Sequence, residues 1–211
     1  MDHSQHWQRQ VDTFIGVIES IRARSTKRNL IALAGPPASG KSTLARHLAD
    51  TLPHCSYMAM DGFHLPNNIL IQKKLLHVKG APETFDLDGF SHMIDRLGEK
   101  REVYVPAFDR ANDQTINCAY PIPDYHDIVI IEGNYLLLNE PKWSALDELW
   151  DFAIFIEISI EEVERRATER WITAGLSPEM ITKRVEENDL HNAERVLRNR
   201  VPEDLVLRGD L

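Results

Sequence analysis

Cysteine is nearly absent: the chain carries only Cys55 and Cys118, far apart and in no C-x-x-C pair. That argues against a disulfide framework or a cysteine-built zinc site and predicts two reduced thiols in a cytoplasmic protein. No apolar run is long enough to span a bilayer, so no membrane association is expected. The stretch from Met1 to Arg9 is polar and lacks the apolar core of a signal peptide. Positive charge is also scarce. Twenty-four Lys and Arg face 33 Asp and Glu, leaving a net charge of −9, which argues against a nucleic-acid partner held by a basic surface. The nine histidines show no metal-ligand spacing.

What is present reads as one α/β domain, residues 1–211. Hydrophobic residues make up 43% and charged residues 27%, enough for a buried core. Trp7, Val11, Phe14, Ile18 and Ile21 recur every three or four residues and predict an opening helix within 1–28. Strands are expected at Asn29 to Ala34, Cys55 to Met60, Val103 to Phe108, Ile128 to Ile131, Phe152 to Ile158 and Leu205 to Leu207. Helices are expected at Lys41 to Thr51, Asn67 to His77, from a cap at Asp88 to Leu97, from a cap at Ser159 to Thr173, and from Ser177 to about Arg195. Alternating strands and helices imply a parallel sheet covered on both faces.

The sharpest motif is Gly35-Pro36-Pro37-Ala38-Ser39-Gly40-Lys41-Ser42, which matches G-x-x-x-x-G-K-[ST] between a strand and a helix. Its glycines let successive backbone N–H groups turn inward, and the following helix adds its positive end. Lys41 is expected to reach terminal phosphates and Ser42 to offer its hydroxyl to Mg²⁺. Thr43, next on the helix, completes the nucleotide-binding set. No N-K-x-D guanine reader exists; Asn139-Glu140-Pro141-Lys142 is not one. ATP is therefore the expected nucleotide.

In a parallel sheet, ligands bind beyond the carboxyl ends of the strands. Four such ends are expected to converge: Gly35, Asp61, Asp109-Arg110 and Glu132-Gly133. Asp61 is the candidate to position or deprotonate an attacking hydroxyl. Glu132 ends an apolar strand and is the candidate to hold Mg²⁺ with Ser42 and Asp61. Arg166 and Arg170 share a helix face and are candidates to close over the transferring phosphoryl group. The helices of about 160–195 would then form a lid. Asn188, Asp189 and Asn192 either contact that lid or nucleotide, or solvate their own helix.

Together the phosphate loop, Met60-Asp61-Gly62-Phe63-His64, Lys79-Gly80-Ala81-Pro82-Glu83-Thr84-Phe85-Asp86, Val105-Pro106-Ala107-Phe108-Asp109-Arg110 and Ile131-Glu132-Gly133-Asn134-Tyr135 resemble the phosphoribulokinase/uridine kinase group of P-loop kinases. The resemblance spans roughly residues 29–207. It implies a Mg²⁺- and ATP-dependent small-molecule kinase, with Asp61 catalytic and Arg166 and Arg170 on the lid. It also implies an acceptor pocket drawing on His64, Phe85, Arg110, Asn134 and Tyr135. The pattern is similar to a bacterial subgroup named for fructose transport, which implies a sugar acceptor. The Lys79 to Glu83 segment resembles pantothenate kinases. A nucleoside or pantothenate-type acceptor, or an ATP-binding regulator with no acceptor, are the alternatives. Oligomeric state is open, a homodimer included.

Overall fold

In the computed structural model, residues 3–209 are described. The chain runs α1 (His3–Arg24), β1 (Asn29–Ala34), α2 (Lys41–Thr51), β2 (Cys55–Ala59), α3 (Asn67–Gln72), α4 (Leu87–Gly98), β3 (Val103–Asp109), β4 (Gln114–Ile122), β5 (Ile128–Gly133), β6 (Phe152–Glu157), α5 (Ile160–Thr173), α6 (Pro178–Arg184), α7 (His191–Arg198) and β7 (Leu205–Arg208). Five strands form a parallel sheet in the order β2-β5-β1-β6-β7. Among the described residues, no helix is long and apolar enough to cross a membrane.

β1 and β5 are buried along their whole length, as their unbroken apolar runs require of strands covered on both faces. Their alternating residues feed two cores. Ile31, Leu33, Ile128 and Ile130 pack with Val11, Phe14 and Ile18 of α1 and Leu44 and Leu48 of α2. Leu30, Ala32, Val129 and Ile131 pack on the other face with Phe90, Ile94 and Leu97 of α4. The Arg28 guanidinium is buried at the foot of β1. It donates to the carbonyls of Leu97, Arg101, Pro123 and His126, which answers the cost of burying the charge.

Val103–Asp109 does not join the parallel sheet, contrary to expectation. It pairs antiparallel with β4 in a separate two-stranded hairpin. The physical reason lies in its ends and its pattern. Asp109 Oδ1 accepts from the N–H groups of Ala111 and Asn112, a side-chain-built turn that reverses the chain at once. Val103 and Val105 are buried while Tyr104 is exposed, the alternation of a half-covered antiparallel strand.

Three boundaries also differ. The Asn67 helix stops at Gln72 because Lys74 turns left-handed (φ 58°), and a 3₁₀ turn over Leu76–Val78 follows. α4 is capped by Asp86, which accepts from Gly89 N–H at 3.0 Å, rather than by Asp88. The last charged helix is interrupted between α6 and α7 by a π-helical turn, Val185–Leu190. Ser159 and Ser177 cap α5 and α6 through the N–H groups of Glu162 and Met180, satisfying donors at the helix starts.

Candidate active site

The phosphate loop leaves β1 at Gly35 hard against β6. A Cβ there would lie 2.6 Å from the Ile156 carbonyl oxygen, so only glycine fits. Gly40 is left-handed (φ 92°) immediately before α2, a conformation that glycine adopts without strain. Lys41 folds its ammonium back over the loop, 2.8 Å from Pro36 O and 3.2 Å from Ser39 Oγ. Burial lowers its pKa to about 8, against the opposing pull of the Glu132 and Asp61 charges.

Register places Glu132 inside the sheet, opposite Leu33 of β1 on one side and Ala59 of the edge strand β2 on the other. Ser42 Oγ donates to Glu132 Oε1 at 2.8 Å. Burial first, then the nearby Asp61 charge, raise the Glu132 pKa, with Lys41 opposing. Asp61 stands in a short 3₁₀ turn after β2, and its Oδ2 accepts from Arg110 Nη2 at 2.5 Å. Arg110 therefore reaches the site although its strand lies outside the parallel sheet. The contact that permits this is at Gly62, where a Cβ would lie 2.8 Å from Pro106 O. The bare backbone lets the hairpin dock beside Asp61.

An open cleft joins these groups. Pro37, Ala38, Lys41, Ser42, Asp61 and Glu132 line its donor side. His64, Phe85, Arg110 and Asn134 line the side beyond Asp61. His64 stacks on Phe85 and Phe108 at 4.1 and 4.7 Å between ring centroids and holds the Asp61 carbonyl through Nδ1 at 2.8 Å. Burial lowers the His64 pKa, which favours the neutral ring.

Two expected site residues lie elsewhere. Tyr135 is fully buried, packed on Phe85 and Trp143, and its hydroxyl donates to Gly80 O at 2.6 Å. It supports the wall from behind. Arg166 does share a helix spacing with Arg170, but its Nε holds Glu162 and its Nη2 donates to Gly209 O at 2.5 Å. It lines a second cavity behind the loop with Trp7, Ser39, Gly40, Thr43 and His47. The i,i+4 pair straddles the loop, one arginine on each side.

Arg170 faces the cleft. Its Nη2 donates to Asp189 Oδ1 at 2.8 Å, and the Trp171 indole N–H takes the other oxygen at 2.7 Å. The Arg170 and Arg184 guanidinium groups both lie near the Trp171 ring, 4.7 and 5.2 Å from its centroid. Asn188 Nδ2 donates to Lys79 O at 2.9 Å, and Asn192 Nδ2 donates to Asn188 Oδ1 at 2.6 Å. That relay sets both amides and leaves Asn192 Oδ1 buried and unpartnered, as is Arg170 Nε. Gly80, beside the relay, is left-handed (φ 108°), a conformation that glycine adopts without strain.

Sequence reasoning missed Asp113, which holds Lys79 Nζ at 2.8 Å together with Asn67, and it missed the roles of Trp171 and Arg184. One signal was available: apolar spacing in the last helix slips from four, Ile181 to Val185, to five, Val185 to Leu190. That slip is the extra residue of the π turn.

Comparison with known proteins decides the family. Residues 30–198 match the phosphoribulokinase / uridine kinase family. The chain belongs to that family. A solved structure from Silicibacter sp. TM1040, named provisionally as a fructose transport system kinase, is similar to this kinase-family chain with a TM-score of 0.87. The two are 40% identical, over 93% of this chain and 98% of that one. A Schizosaccharomyces pombe protein named provisionally as a uridine kinase is 35% identical, over 86% of this chain and 83% of its own length. The Escherichia coli K12 protein YggC, uncharacterised, is 34% identical over 86% of this chain and 78% of its own length.

Proposed function

We propose that this protein transfers the terminal phosphoryl group of ATP to a hydroxyl of a small metabolite, with a sugar such as fructose as the leading acceptor. The observation that carries the reading is the placement of Asp61 in one cleft with Lys41, Ser42, Glu132 and Arg170. Phosphoryl transfer asks little of a protein beyond positioning and charge stabilisation. Asp61 is placed to align the acceptor oxygen and take its proton. The phosphate loop and Lys41 hold the donor phosphates, and Arg170 meets the charge that develops on the moving group. The helices α5 to α7 act as the lid.

Ser42, Asp61 and Glu132 are the residues that would hold Mg²⁺. Their donors are hard oxygens, which suit that ion. Among the described residues no group of three or more His, Cys, Asp or Glu could hold a metal by itself, which fits an ion that keeps phosphate and water ligands. When bound, Mg²⁺ supplies charge neutralisation on the phosphate oxygens. Arg166, beside Thr43 and Gly40 in the second cavity, is better placed to cover the nucleotide's base than its phosphates.

Relatives carry names pointing to different acceptors, so the site itself must argue. Asn134 and His64, partly exposed on the cleft wall beyond Asp61, suit the extra hydroxyls of a polyol. A coupled ADP-release assay with MgATP and D-fructose, uridine or pantothenate tests the reading. Acceptor-stimulated release that vanishes in Asp61→Asn supports it. ATP binding without stimulation by any of the three would instead indicate a nucleotide-sensing regulator.

A further inference from the structure

We infer that Asp189 is a positioning residue that aims Arg170 at the terminal phosphoryl group, and that the π turn exists to put it there. The inference rests on the donor-site reading above and assigns a part that no motif marks.

The argument starts from helix geometry. Ile181 and Val185 are buried four residues apart, so an uninterrupted α-helix would place residue 189 on the same apolar stripe. A carboxylate there would be costly without charged partners. The π turn over Val185–Leu190 absorbs one residue, and Leu190 takes the apolar place beside Ala167 and Ile181. Asp189 is thereby brought to the cleft while still buried, at 8% exposure. π turns in helices frequently sit at functional positions for this reason.

Both carboxylate oxygens are then used. One takes Arg170 Nη2 and the other the Trp171 indole N–H. A guanidinium held at one nitrogen by a buried carboxylate and lying near an indole has little rotational freedom. Trp171 in turn belongs to the apolar cluster that includes Ala38 of the phosphate loop. The carboxylate, the arginine, the indole and the loop form one connected unit. Within it, the Arg170 side chain stays 38% exposed on the wall shared with Lys41. A guanidinium so placed suits an oxygen of the terminal phosphoryl group, beyond those of a diphosphate that the loop amides cradle.

Binding to the full chain tests this without knowledge of the acceptor. Calorimetric Kd values for Mg·AMP-PNP and Mg·ADP are compared in the wild type, Asp189→Asn, Arg170→Ala and the double variant, each with its thermal melt. We expect Asp189→Asn to weaken AMP-PNP about tenfold and ADP less than twofold. It should weaken AMP-PNP no further once Arg170 is alanine, since a residue acting through another shows no independent effect. Equal losses for the two nucleotides, additive losses, or no loss would overturn the assignment. A second measurement needs no change at Asp189: millimolar guanidinium should restore AMP-PNP binding to Arg170→Ala. Absence of that rescue would count against a preformed Asp189 seat, and it decides the matter should Asp189→Asn fail to fold. If the wild type binds neither nucleotide, the donor-site reading falls too. Normal wild-type binding with an indifferent Asp189→Asn overturns this inference alone.

Discussion

Arg110 donates to Asp61 across 2.5 Å, joining the β3–β4 hairpin to the carboxyl end of β2. The pair is half-open: the arginine side chain is 67% exposed and the aspartate 25%. Such an exposed pair adds little to stability, so its value lies in where it holds the carboxylate. Asp61→Asn should lower kcat about 10²- to 10⁴-fold, the range for loss of a positioned base. The Kd for ATP should stay within about twofold, because phosphate binding rests on the loop. Arg110→Ala should cost less, roughly tenfold, and should act mainly on the acceptor KM. Steady-state kinetics beside ATP calorimetry checks both, and full activity in Asp61→Asn would remove it from the mechanism.

The Ser42–Glu132 hydrogen bond, 2.8 Å long, links the loop to the strand that ends beside it. Burial and the Asp61 charge make ionised Glu132 costly, and Lys41 offsets part of that cost. Glu132→Gln keeps the shape and removes the charge. It should raise the Mg²⁺ concentration for half-maximal activity about tenfold and lower thermal stability, since the buried Lys41 ammonium loses its main counter-charge. Magnesium titration and a melt of the same sample measure the two effects; an unchanged magnesium requirement would separate Glu132 from the metal.

Much of this frame was legible from residues alone. β1, β5 and β6 announce themselves as apolar runs, and the loop between β1 and α2 is contiguous in sequence. Asp61 and Glu132 follow from the rule that parallel strands present their carboxyl ends together. The hairpin was harder to read, because β4 is mostly exposed and carries no apolar run. Tyr135 follows a strand end just as Asn134 does, but whether it faces substrate depends on Phe85 and Trp143, which lie far away in sequence. Asp189 is set by a one-residue slip in helix phase, which local propensity does not encode.

The two thiols should behave differently. Cys55 is buried in the core under α2, and burial pushes its thiol up to about 12. The thiolate is the reactive form, and with a pKa of about 12 roughly 10⁻⁴ of Cys55 is ionised at pH 8. Cys118 is exposed on β4. Native protein treated with a chromogenic disulfide reagent at pH 8 should therefore release one equivalent quickly, and denatured protein two. Two fast equivalents from native protein would show that the strand carrying Cys55 opens readily.

Gly62 tests whether the hairpin's docking matters for the site. An alanine methyl there would sit 2.8 Å from Pro106 O and 2.9 Å from Pro106 C. These are backbone atoms that cannot rotate away. The substitution must push β3 from the turn that carries Asp61, at about 1–3 kcal/mol for an overpacked contact. The same displacement pulls Arg110 from Asp61, so activity should fall further than the fraction unfolded explains. Gly16 supplies the control. It lies in α1 with nothing within 4 Å of its would-be Cβ, so Gly16→Ala should stabilise by about 0.5–1 kcal/mol and leave kcat unchanged. Melts and kinetics on the two variants decide the point: a Gly62→Ala protein that loses stability but keeps wild-type kcat would show that Asp61 is held without the hairpin.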